Sequence, residues 1–77
     1  MHVAKVEKSA DSVSFSLYDE NLKLLESESF ADLYTLNFHL QTLAKKYGLQ
    51  KSLLVIHDIQ ANKVTMEIAK DENSFFV

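Results

Sequence analysis

Between Val13 and Tyr18 the chain alternates strictly, with Val13, Phe15 and Leu17 on one side and Ser12, Ser14 and Ser16 on the other. That period of two marks a strand buried on one face only. His2 to Glu7 reads as a strand before it, and Ser9 to Ser12 as the polar turn between them. Asp19-Glu20-Asn21 is a tight turn, after which Leu22 to Ser27 returns as a third strand, so the second and third strands form a hairpin. Ser52 to His57 is apolar on both sides, as expected of a strand inside a sheet. Gln60 to Lys70 fits two patterns. Val64, Met66 and Ile68 alternate as in a strand hairpinned to the preceding one, whereas Ala61, Val64, Ile68 and Ala69 would line a helix. Strand is the preferred reading.

A different period governs Ser29 to Gly48. Phe30, Leu33, Leu36, Leu40, Leu43 and Tyr47 recur three or four apart, which places them on one face of a helix over about 30–47. Ser29 is a suitable N-cap, with Asp32 completing a capping box. Lys45 and Lys46 suit the negative end of the helix dipole, and Gly48, the only glycine, suits a left-handed C-cap. A long helix between strands allows a right-handed crossover. The expected fold is therefore α+β in two layers, β-β-β-α-β(-β), with one helix on a mixed sheet of four to five strands and the fourth strand beside the first. The whole chain, 1–77, makes one domain with a C-terminal tail over 71–77.

Composition narrows the chemistry. There is no cysteine, which removes disulfides, thiol catalysis and cysteine-held metals together. No apolar run reaches the length of a membrane span and the N-terminus lacks a signal-peptide pattern, so a cytoplasmic protein with no membrane partner is expected. All eight basic residues are lysines and the net charge is −3. Without arginine's bidentate fork, nucleic acid is the less favoured partner. No glycine-rich phosphate loop or nucleophile motif is present, and no cofactor is expected on the residues alone. His2, His39 and His57 are not spaced as metal ligands, and His39 is expected to be exposed.

Ala31-Asp32-Leu33-Tyr34 at the helix start, Leu54-Val55-Ile56-His57-Asp58-Ile59-Gln60 at the fourth strand, Leu17-Tyr18-Asp19-Glu20-Asn21 at the hairpin and Val6-Glu7-Lys8-Ser9 after the first strand together resemble the ribonuclease H-like superfamily. The resemblance covers most of residues 3–60 and implies that family's core topology. It also implies a truncated form, ending before the later strand and helix that bring a fourth acid. Under it, Glu7, Asp32 and Asp58 would be the catalytic carboxylates on Mg²⁺, whose two-ion chemistry activates water and stabilises the leaving oxygen in phosphodiester cleavage.

Each acid also has a plainer role: Asp32 as a cap, Asp58 as a strand-end turn residue, Glu7 as a solvated charge. Tyr34 and Phe38 lie four apart, about 100° from the main helical stripe, and form an apolar ridge. Phe75, Phe76 and Val77 end the chain as a second apolar group. The tail either folds onto the ridge, or both belong to an interface with a protein partner or a second copy in a homodimer. The first functional reading is a small non-catalytic interaction or regulatory module acting through these residues. The alternatives are a truncated Mg²⁺-dependent nuclease and a non-catalytic nucleic-acid binder.

Overall fold

The structure is a computed structural model that describes residues 1–71 and 74. It contains β1 (Val3–Lys8), β2 (Val13–Tyr18), β3 (Leu24–Phe30), α1 (Leu33–Tyr47), β4 (Leu53–Asp58) and β5 (Lys63–Ile68). The strands form one mixed sheet in the order β3-β2-β1-β4-β5. β4 runs parallel to β1, in the register Val3 to Leu53 through Lys8 to Asp58, and every other pair is antiparallel. The placement of the fourth strand beside the first, expected from the crossover, is observed, and the last segment is a strand.

Period-two alternation decides which side of each strand meets the helix. Ala4 and Val6 of β1, Val13, Phe15 and Leu17 of β2 and Leu54 of β4 are buried beneath Leu36, Leu40, Leu43 and Ala44 of α1. The opposite side of β1 and β2 carries Lys5, Glu7, Ser14, Ser16 and Tyr18, all half-buried. The helix contacts β2 and β3 most closely, so β5 projects beyond it, and all six of its residues are exposed. Among the described residues no helix is long and apolar enough to cross a membrane.

The start of α1 differs from the sequence expectation. Ser29 and Phe30 belong to β3, where Phe30 pairs with Val13, and the helix begins three residues later at Leu33. Asp32 is itself the N-cap: its backbone is extended and its Oδ1 accepts the Thr35 N–H at 2.8 Å. Both positions carry good capping residues, and cross-strand pairing with β2 decided between them. At the other end Gly48 takes φ 60°, and its N–H bonds to the Ala44 carbonyl. Leu22 adopts a similar φ of 63° in the β2–β3 turn, where Asp19 O accepts the Leu22 N–H at 3.0 Å. A side chain in this left-handed region is strained by contact with its own carbonyl.

These two positions are expected to respond with opposite signs. Nothing lies within 4 Å of a Cβ added at Gly48, so Gly48→Ala should cost only the backbone strain, about 1 kcal/mol. Leu22 is 70% exposed and loses little packing when replaced. Leu22→Gly should therefore stabilise by roughly 0.5 kcal/mol, the strain relief less glycine's extra entropy loss. Urea unfolding with an unchanged m-value would check both.

Candidate functional site

Asp32 and Asp58 arrive at one end of the sheet from different elements. Together with Lys8, Asp11 and Ser12 they line an open depression of about 250 Å³, between the β1–β2 turn, the start of α1 and the end of β4. Each of the two acids has a backbone role. Asp32 caps α1, and Asp58 Oδ1 accepts the Ala61 N–H at 3.1 Å, closing the turn into β5. Hydrogen bonds from Thr35, its backbone N–H foremost, hold the Asp32 carboxyl below its ordinary value.

Glu7 does not join them. Ala4 and Val6 are buried under the helix, so alternation turns Lys5 and Glu7 to the other side of the sheet. There Glu7 Oε1 meets Lys5 Nζ at 2.8 Å, and the hydrogen bond from that ammonium is the main reason its carboxyl lies below the usual range. The β1 residue that reaches the depression is Lys8, directly beside Asp58 in the parallel register. The three-acid set for Mg²⁺ is therefore not assembled. Among the described residues no three His, Cys, Asp or Glu side chains gather as metal ligands. The signal was present in the sequence: apolar Ala4 and Val6 already set the parity that puts Lys8, and not Glu7, on the helix side.

The aromatic ridge is where the helical wheel put it. Tyr34 and Phe38 are 84% and 74% exposed on the outer side of α1. They flank a groove of about 250 Å³ whose other walls are Asn37 and Gln41. Phe75, Phe76 and Val77, the other proposed interaction residues, lie outside the described residues.

His39 departs from expectation. Three residues after Leu36, it points toward the sheet edge, with its ring 5.2 Å from Phe30 and 6.4 Å from Phe15, centroid to centroid. Its Nε2 is buried 3.3 Å from Glu28 Oε2, close enough to pair when protonated but without hydrogen-bond alignment. Tyr47 reaches the same strand, donating its hydroxyl to Glu26 Oε2 at 3.0 Å. The helix thus lies across the β3 edge, a position that a wheel drawn without the sheet does not reveal.

No family model matches the chain, and no curated protein or solved structure is significantly similar to it.

Because the folded Asp32 titrates below its ordinary value of 3.8, it stabilises the fold above that pH. The contribution should fade as pH falls through the depressed value. Asp32→Asn keeps a capping oxygen but no titration. The variant should match the parent near neutrality and lose less stability on acidification, with pH-dependent thermal unfolding as the readout. Parallel acid profiles for the two proteins would count against the capping role.

Proposed function

We propose that this chain is a small, non-catalytic interaction module working by protein–protein contact in the cytoplasm, built on a ribonuclease H-like core without that family's carboxylate chemistry. The strand order, with β4 parallel to β1 after a helical crossover, supports the likeness of topology. The missing convergence of Glu7 with Asp32 and Asp58 weighs against a nuclease. Phosphate binding has little support: a net charge of −3 and an acid-rich depression repel it.

The observation that carries the reading is the Tyr34–Phe38 ridge. Two large aromatic side chains, side by side and largely in water, are costly to keep hydrated and are typical anchors of a binding surface. Asn37 and Gln41 line the groove beside them and give it a polar wall. The fitting partner is a protein presenting an apolar side chain to the groove, flanked by backbone or side-chain polar groups.

The combined Tyr34→Ala, Phe38→Ala variant should retain the unfolding midpoint, since neither side chain is in the core, but weaken capture of a stoichiometric partner by at least about tenfold. Affinity capture from the source cell, with crosslinks mapped to the groove, would measure this. Equal capture by the variant, or no partner for the parent chain, would remove the reading. A magnesium titration followed by NMR provides the contrast: Glu7, Asp32 and Asp58 carboxylates should not shift together at millimolar metal, and a joint shift would restore the two-ion alternative.

A further inference from the structure

β5 is an edge strand whose apolar and charged residues are sorted in an unusual direction. Its registers with β4 pair Ile68 with Leu53, Met66 with Val55 and Val64 with His57. All of these lie on the side of the sheet away from α1, because Leu54 is on the buried side. Val64, Met66 and Ile68 are 57%, 66% and 50% exposed there. Lys63, Thr65 and Glu67 face the helix side, beyond the reach of the helix. The other end of this open face is hydrophilic, with Ser14 against Ser29 and Ser16 against Ser27. The apolar half is therefore local to β4 and β5.

The backbone of β5 is oriented to accept another strand. Leu53 N–H donates to His2 O and Ile59 N–H to Lys8 O, both at 2.9 Å, so the odd-numbered residues of β4 bond to β1. The even-numbered ones bond to β5, where they meet Glu67, Thr65 and Lys63. Ala69 N–H donating to Ser52 O at 2.8 Å continues the same ladder. Val64, Met66 and Ile68 consequently turn their N–H and C=O groups outward, with no strand beside them among the described residues. Unpaired edge groups of this kind are a template for pairing.

Lys63-Val64-Thr65-Met66-Glu67 is complementary to itself when reversed about Thr65. In an antiparallel pairing centred there, Lys63 lies opposite Glu67 of the second copy on one face, in both symmetry-related positions. Val64 lies opposite Met66 on the other face, and the two threonines meet at the axis. The Val64–Met66 pairs have outward-pointing backbone groups, so the main chain permits this register, and the side chains distinguish it from its neighbours. A register centred on Met66 would pair Glu67 with Thr65, and one centred on Glu67 would set the two carboxylates against each other. The opposite edge lacks this property. β3 reversed about Ser27 brings Glu26 against Glu28, and Glu26 already accepts the Tyr47 hydroxyl.

We propose that β5 is a homodimerisation edge, at which two copies of this chain pair antiparallel about Thr65 to form one continuous ten-stranded sheet. The two-fold axis makes the interface isologous and closed, so pairing stops at two chains. This surface is distinct from the Tyr34–Phe38 ridge and stands whether or not the ridge has a partner.

Sedimentation equilibrium of the full chain from about 1 µM to 1 mM tests it. The expected result is a dimer fraction that rises with concentration. Lys63→Glu alone and Glu67→Lys alone should each weaken the dimer by about tenfold or more, because each reverses two cross-strand pairs. The double swap, Lys63→Glu with Glu67→Lys, should restore it. Amide exchange at Val64 and Met66 should slow as the dimer forms. A monomer throughout would overturn the proposal, as would a dimer indifferent to both single reversals. The latter result would mean that the open sheet faces stack, since Lys63 and Glu67 lie on the other side. Concentration-independent protection of Val64 and Met66 would also overturn it, assigning the edge to the chain's own C-terminal residues.

Discussion

A helix about 10 Å across cannot cover five strands spaced about 4.8 Å apart. Most of the arrangement follows from that mismatch. α1 lies toward β2 and β3, and the core under it runs from β2 through β1 to β4, with Phe15, Leu17, Val6, Leu54, Leu36 and Leu40 fully enclosed. Where the helix ends laterally, the sheet must finish itself. On the β3 side it does so with acids, Glu26 hydrogen-bonded from the helix by Tyr47 and Glu28 lying beside His39. On the β5 side the helix-facing positions turn polar, as Lys63, Thr65 and Glu67. The apolar residues of β5 therefore have only the open face available to them.

The same geometry explains which parts of the fold were legible in the sequence. Alternation over Val13–Tyr18 and Lys63–Ile68 is local, and it gave the strands. Gly48 and the two preceding lysines mark the helix end without tertiary help. The helix start was ambiguous because Ser29 and Asp32 both cap well and Phe30 suits both periods. Only the pairing of Phe30 with Val13 assigns it to β3. His39 was misplaced for a related reason. Its angular distance from Leu36 is modest, and whether that flank is wet depends on where the sheet ends.

The candidate site was partly legible and partly misread by a single residue. Strand parity, available from Ala4 and Val6, places Lys8 in the depression with Asp32 and Asp58, whereas matching by position along the chain selects Glu7. One step along a strand reverses the face, so acids matched by position along a chain need not meet on one side of the sheet. The ridge at Tyr34 and Phe38 needed only the helical period, and it was found directly.

The acids themselves show how a small, cysteine-free domain uses its polar residues. Asp19 accepts the N–H groups of Asn21 and Lys23, Asp32 that of Thr35, and Asp58 that of Ala61. Each closes a turn or caps a helix at a boundary between elements, where backbone donors would otherwise lack partners. With one carboxylate oxygen already engaged in this way, Asp32 and Asp58 act as structural residues first. The helix-start and strand-end acids thus serve backbone closure, while of the aromatic residues Phe15 fills the core and Tyr34 and Phe38 stand exposed on the outer side of the helix.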